Sequence, residues 1–209
     1  MSDILYVTSS PRGGDSYSNR VAARVLDELE QAHPGARVVV RDVARDPLPH
    51  IDEDFVAAIR GPAGPQTPQQ RAVVGRSDQL IDELLAADII VIAAPMYNFG
   101  IPSTLKAWID HIARAGRTFR YGEKGPEGLV KGKKVILIQS RGGIYSSGPA
   151  QAMDHQGTYL RSVLGFLGVT DIESIDVEGV AYGPEAAEKA VAGGIVRARA
   201  LVVDTHAAA

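Results

Sequence analysis

A turn rich in hydroxyl groups and glycines follows the first apolar segment of the chain. It reads TSSPRGGDSYSN at residues 8–19 and precedes a helical pattern. Serine hydroxyls and unpaired amides at a helix N-terminus form a favourable phosphate site. The turn lacks the lysine of the triphosphate-binding loop, and the chain contains no G-x-G of the dinucleotide fingerprint. The residues therefore favour one monophosphate, and the alternative is that Ser16 or Ser18 only caps the helix.

Two further turns carry residues suited to a flat ring. PMYNFGIP at residues 95–102 places the bulky side chains of Met96, Tyr97 and Phe99 after an apolar segment. SRGGIY at residues 140–145 contains a Gly-Gly pair whose backbone can approach a ligand edge closely. The aromatic turn alone could also be a hydrophobic plug between loops and helix. A monophosphate at one turn and a flat heteroaromatic group between two others describe flavin mononucleotide (FMN).

Composition narrows the classes of function. The chain has 209 residues, 45% of them hydrophobic, with a net charge of −3. This charge gives no electrostatic case for nucleic acid or an anionic membrane. The absence of cysteine excludes disulfides, thiolate nucleophiles and Cys-ligated metals, and no metal site is expected. No secretory signal pattern or membrane-spanning run is found, so a cytoplasmic protein is expected.

Alternating apolar runs and helical patterns must position these turns. The predicted strands are 4–10, 36–43, 88–95, 133–140 and 171–180; the predicted helices are 18–32, 68–86, 102–115, 149–167 and 184–203. This alternation predicts a single doubly wound α/β domain over residues 1–209, with a five-stranded parallel sheet and helices on both faces. A long insertion is predicted at about 116–132, before the fourth strand. All three turns follow strands, so they meet at the carboxyl edge of the sheet, where ligands bind in such folds.

Four motifs resemble those of the bacterial FMN-dependent NADH-azoreductase and quinone reductase family. They are PMYNF, SRGG, FRYGEKGPEGLVKGKK and VEGVAYGPE, and the resemblance extends from the first strand to about Glu188. It implies a flavodoxin-like fold with strand order 2-1-3-4-5, and a homodimer with two FMN sites at the subunit interface. It also implies ping-pong reduction of quinones to hydroquinones, and of azo compounds to aromatic amines, with NADH or NADPH as donor.

The resemblance assigns the binding residues position by position. The phosphate would contact Ser10, Ser16, Tyr17 and Ser18. The isoalloxazine ring would contact Met96, Tyr97, Asn98 and Phe99 on one edge and Ser140, Arg141, Gly142 and Gly143 on the other. Substrate would meet Tyr121, Tyr145 and Phe166.

Several features of the site follow from this assignment. Tyr121, from the insertion, and Phe166 would form an apolar lid over flat acceptors, although Tyr121 is equally consistent with an aromatic residue packed in a dimer interface. Tyr17 and Tyr145 stand where the family commonly has Gln and His. Because the flavin carries the chemistry, no side chain is expected to be catalytic. Arg12 is expected to be a solvent-exposed neighbour of the phosphate loop.

The alternative is a flavodoxin-type carrier, which also binds FMN but passes single electrons between proteins. Such carriers are smaller and more acidic, so the length and the charge of this chain favour the enzyme.

Overall fold

The computed structural model describes residues 2–61 and 65–207, with side chains up to residue 202. Its strands are β1 (Asp3–Thr8), β2 (Arg37–Asp42), β3 (Ile89–Pro95), β4 (Phe119–Gly122), β5 (Gly125–Gly128), β6 (Lys134–Ser140) and β7 (Asp171–Val177). Its α-helices are α1 (Tyr17–Ala32), α2 (Glu53–Arg60), α3 (Pro68–Ala86), α4 (Ser103–Ile112), α5 (Gly157–Leu167) and α6 (Pro184–Ala207).

The main sheet confirms the predicted topology. Five parallel strands lie in the order β2-β1-β3-β6-β7, which is 2-1-3-4-5 for the five predicted strands. Alternate residues of β3 face two separate apolar clusters, one formed with α3, α4 and α5 and the other with α1 and α6. Helices therefore cover both faces, which explains why the central strands are apolar on both faces.

Three helical regions differ from the sequence-based prediction. The predicted helix 149–167 begins as a 3₁₀ turn and becomes α5 only at Gly157, where Asp154 accepts hydrogen bonds from the amides of Gln156 and Gly157. The predicted helix 102–115 ends at Ile112. Helix α2 was not predicted, although Asp52 caps it through the Phe55 amide. Residues 62–64 of the connector before α3 lie outside the described residues.

The insertion forms a hairpin of strands β4 and β5 at the amino edge of the sheet. It follows α4, which starts beside the carboxyl edge and runs about 15 Å towards the other edge. It then leads into Lys134, which pairs with Ile89 at the start of β3. The hairpin backbone packs directly on the end of α5, where a Cβ on Gly128 would lie 2.2 Å from the Gly168 nitrogen. Only glycine fits this contact.

Across residues 2–61 and 65–207, no helix combines the length and apolar character needed to cross a membrane.

Candidate functional site

The N-terminus of α1 presents a set of backbone amides without acceptors. The amides of Tyr17, Ser18 and Asn19 donate to no group in the described part of the chain. Ser16 precedes the helix, but its side chain makes no capping hydrogen bond, so the capping alternative is wrong for Ser16. Instead Ser16 Oγ and Ser18 Oγ lie 3.0 Å apart and are buried. Three amides and two hydroxyls thus surround the start of one helix, as an anion requires.

Asn19 shapes this turn, although its role was not predicted from the sequence. Its Oδ1 accepts a hydrogen bond from Thr8 Oγ1 at 2.8 Å, and its Nδ2 donates to the Gly13 carbonyl at 2.9 Å. The side chain therefore ties the end of β1 to the loop. Arg12 is exposed and its guanidinium lies 5.1 Å from the centre of the Tyr17 ring. Its backbone amide donates to the buried Ser10 Oγ at 3.4 Å. The guanidinium makes no hydrogen bond with the described serine hydroxyls, in agreement with the expected place of this side chain beside the cradle.

The turn after β3 has an unusual backbone conformation. Asn98 and Phe99 both have positive φ, at 47° and 71°. The turn is closed by reciprocal hydrogen bonds between Tyr97 and Gly100, at 3.0 and 2.9 Å. Positive φ at both central positions is the type I′ arrangement, which non-glycine residues adopt at an energetic cost. Held in this way, the Asn98 and Phe99 amides donate to no acceptor among residues 2–61 and 65–207.

The turn after β6 lies beside the turn after β3. The Met96 amide donates to the Ser140 carbonyl at 2.8 Å, so the two turns are joined at their bases. The carbonyls of Gly142 and Gly143 accept from the amides of Ala181 and Gly179. The two glycine amides have no acceptor in the described residues, so they remain available to a ligand.

Tyr145 and Phe99 contact each other beside the turns after β3 and β6. Their ring centres lie 6.3 Å apart with an interplanar angle of 67°, and the Phe99 carbonyl accepts from the His155 amide at 3.0 Å. The structure thus brings Tyr145 to the predicted ring-binding turns. A cavity of ≈ 410 Å³ lies in front of Ser9, Tyr97 and Asn98, within the usual size range for small-molecule sites.

Arg141 differs from the expectation that it contacts the ring. Its side chain is 2% exposed and points below the turn. Its own amide and carbonyl pair with Val177 and Val180. The guanidinium donates five hydrogen bonds of 2.9–3.1 Å, to Gln139, Asp154, Gln156, Asp176 and Glu178. No donor of this side chain is left for a ligand.

Asp176 and Glu178 in this cluster have shifted pKa values. Burial raises the pKa of Asp176, although the Arg141 guanidinium opposes that rise. Burial would also raise the pKa of Glu178, but hydrogen bonds from Ser146 Oγ, the Tyr145 amide and Arg141 outweigh burial and hold it below its ordinary value. Glu178 is therefore ionised at neutral pH.

Tyr121 and Phe166 lie at the opposite edge of the sheet from the predicted ring-binding turns. Phe119 joins them, with ring centres 5.6 Å from Tyr121 and 4.7 Å from Phe166. This cluster lies at the amino edge of the sheet, roughly 20 Å from the turns at the carboxyl edge, since β3 and β6 each run seven residues between the edges. Tyr121 is 74% exposed. Within one chain the structure does not bring the predicted lid to the predicted ring site.

The carboxyl-edge residues fit FMN. Unpaired amides and hydroxyls at a helix start suit a phosphate monoester, and two further turns with unpaired amides suit the heteroatoms of a flat ring. A sheet of this order, with such turns at its carboxyl edge, defines the flavodoxin-like class. A sequence profile for the flavodoxin-like fold matches residues 2–202.

Comparison with known proteins identifies the family within this fold class. The chain is 52% identical over 206 residues to an FMN-dependent NADH:quinone oxidoreductase of Mesorhizobium japonicum, covering 99% of this chain and 98% of that protein. It is 56% identical over 191 residues to FMN-dependent NADH:quinone oxidoreductase 1 of Rhizobium etli, covering 91% and 93%. A crystal structure of an azoreductase from Bacillus anthracis superposes with a TM-score of 0.89 at 32% identity, covering 97% and 99%. The chain belongs to the family of FMN-dependent NADH:quinone oxidoreductases and azoreductases.

Another Bacillus anthracis protein bears on the cofactor. The crystal structure of an FMN-dependent NADH-azoreductase in complex with FMN superposes with a TM-score of 0.87 at 27% identity, covering 97% of this chain and 100% of that one.

Proposed function

We propose that this protein is an FMN-dependent NADH:quinone oxidoreductase that also cleaves azo compounds reductively. The observation that carries the proposal is the set of unpaired amides on three adjacent turns, which matches one phosphate and one flat heteroaromatic ring. The relatives that share about half of its residues bear the quinone reductase name, and the azoreductase structures support the second activity.

The proposed FMN contacts fall into two groups. Ser10, Ser16, Tyr17 and Ser18 would hold the phosphate, and the turns at Met96, Tyr97, Asn98 and Phe99 and at Ser140, Gly142 and Gly143 would hold the ring. FMN held there would supply two-electron transfer from NADH, so that one round with two protons would reduce a quinone to its hydroquinone, and two rounds with four protons would cleave an azo bond to two amines. The Gly142 and Gly143 amides would bind the polar edge of the ring and favour negative charge there. No side chain is required as nucleophile or general base.

The proposal includes a homodimer, because the predicted lid and the predicted ring site lie at opposite edges of the sheet within one chain. The Phe119–Tyr121–Phe166 cluster is too far from the turns of its own chain to cover their ring. An exposed aromatic cluster suits packing against a second copy, which would place the cluster of one subunit over the flavin of the other. A cavity of ≈ 660 Å³ between α4 and α5, lined by Ile101 and Tyr159, would lie in the same interface.

The absorption spectrum of the purified protein tests the proposal. Bands near 370 and 450 nm are expected, and anaerobic NADH should bleach both. Menadione should then restore them with no protein partner present. A colourless protein that does not take up added FMN would overturn the proposal. A flavin that bleaches but returns its electrons only to a carrier protein would instead support the flavodoxin-type function. The proposed cytoplasmic location is tested by cell fractionation.

A further inference from the structure

The buried Arg141 cluster lies directly behind both ring-binding turns. Arg141 follows the last residue of β6, and all five of its N–H donors are used inside the protein. Three carboxylates surround this single guanidinium, on Asp154, Asp176 and Glu178. Burial of such a set is costly unless geometry and hydrogen bonding are both good, so it is a poor means of adding stability alone.

Glu178 connects the guanidinium to the backbone of the second turn. Its carboxylate accepts from the amides of Tyr145 and Ser146 at 2.8 and 2.9 Å, and from Ser146 Oγ. The start of the same turn is held by the 179–181 segment, whose amides donate to the carbonyls of Gly142 and Gly143. The turn is thus fixed at both ends, and its two glycine amides stay unpaired.

Gln156 connects the same guanidinium to the first turn. Its Oε1 accepts from Arg141 Nε at 3.1 Å, and its Nε2 donates to the Ala94 carbonyl at 3.0 Å, one residue before the end of β3. The neighbouring His155 amide holds the Phe99 carbonyl. One buried side chain is therefore linked to both turns, through Glu178 on one side and Gln156 on the other.

We propose that Arg141 and Glu178 are positioning residues for the flavin ring. They hold the unpaired amides of the Gly142–Gly143 turn in place without touching the cofactor. They also set the distance between that turn and the 97–100 turn. The proposal rests on the proposed function, because it presupposes a flavin between these turns. We therefore expect the cluster to affect the affinity of the protein for the flavin ring and the reduction potential of the bound flavin. We expect it to have no effect on phosphate binding at the start of α1.

The test compares Glu178→Gln and Arg141→Lys with Glu173→Gln. Glu173 lies on β7, the strand that leads into Glu178, and pairs with an exposed Arg197, so it is a matched control. The protein is stripped of flavin and titrated with FMN and with riboflavin, which has the same ring but no phosphate. Glu178→Gln keeps an oxygen acceptor but loses the charge that strengthens its hydrogen bonds. We expect both ligands to bind about tenfold more weakly to Glu178→Gln and Arg141→Lys, and unchanged to Glu173→Gln.

The reduction potential separates positioning from general stability. If the fixed amides favour the reduced ring, each variant loses more affinity for reduced than for oxidised FMN. A tenfold difference between those losses lowers the two-electron potential by about 30 mV. Wild-type affinities and potential in both variants would overturn the inference while leaving the proposed function standing. So would a fall in melting temperature alone, or a loss of FMN affinity without a matching loss for riboflavin. If the wild-type protein binds neither ligand, the proposed function has failed instead.

Discussion

Ser16 Oγ lies 3.0 Å from Ser18 Oγ, and both side chains are buried at the start of α1. One hydroxyl donates to the other, while the amides around them have no acceptor in the described residues. A phosphate would replace the bond between the hydroxyls with bonds to its own oxygens. This pair therefore gives the most direct test of the phosphate site.

The double variant Ser16→Ala/Ser18→Ala should lose FMN but keep its fold. Removing both hydroxyls leaves no unpaired partner behind, whereas two hydrogen bonds to a charged group are lost on binding, at a cost of about 3 kcal/mol or more. FMN affinity should fall about 100-fold or more, as measured by fluorescence titration. Riboflavin affinity should be unchanged, and Ser2→Ala, just before β1 at the amino edge of the sheet, serves as the control. An equally yellow and active double variant would refute the phosphate assignment.

Tyr121→Ala should raise the KM for quinones while FMN stays bound. The exposed ring offers apolar surface to a flat acceptor but lies far from the phosphate turn. Steady-state kinetics with menadione, alongside the flavin content, measures both effects. Glu123→Ala, in the exposed tip of the same hairpin, is the control. Unchanged kinetics would favour the alternative in which Tyr121 only packs in a dimer interface.

Mixed dimers test whether the aromatic cluster acts across the interface. One subunit carries Ser16→Ala/Ser18→Ala and the other Tyr121→Ala/Phe166→Ala, each with its own purification tag. If the cluster covers the flavin of the other subunit, the mixed dimer has one complete site and about half of the wild-type activity at low quinone. Both parent homodimers should be impaired under the same conditions. No recovery in a purified mixed dimer would contradict the proposed arrangement.

Buried parallel strands and their following loops leave strong local patterns, so the residues predicted the parallel sheet and the three turns. The strand order was predicted from the family resemblance and is confirmed. The sequence did not predict where the Arg141 side chain points, since that depends on carboxylates from β7 and the segment before α5. The position of Tyr121 was predictable in principle: a helix that begins at one edge of the sheet delivers the next segment to the other edge. Helix α2 was likewise marked by Asp52 and the acidic residues after it.

The backbone at Asn98 gives a prediction about strain. Its positive φ is tolerated by Asn and Gly but poorly by β-branched residues. Asn98→Gly should keep both stability and the turn, whereas Asn98→Val should lose about 1–3 kcal/mol of unfolding free energy and weaken FMN binding. Urea denaturation and FMN titration measure the two effects. Equal behaviour of the variants would show that the turn does not depend on this conformation.

His111 should make the stability of the fold depend on pH. Burial lowers the pKa of this imidazole, although its bond to the Pro49 carbonyl and the nearby Asp52 and Asp110 oppose the shift and Arg76 adds to it. Its Nε2 lies 3.0 Å from that carbonyl, so Nε2 carries the proton of the neutral ring, and buried Nδ1 has no partner among the described residues.

The direction in which stability changes with pH follows from proton binding to His111 in the folded and unfolded chains. The unfolded chain takes up a proton near pH 6.5, while the folded chain resists it until a lower pH. Stability should therefore fall as the pH drops below about 6.5, by at most about 1.4 kcal/mol per pH unit from this group, and level off below the folded pKa. His111→Gln keeps a donor for Pro49 but cannot titrate. Urea unfolding at pH 7 and pH 5 should show wild type losing stability relative to this variant. A constant difference between the two proteins would mean that His111 is protonated as readily in the folded chain as in the unfolded one.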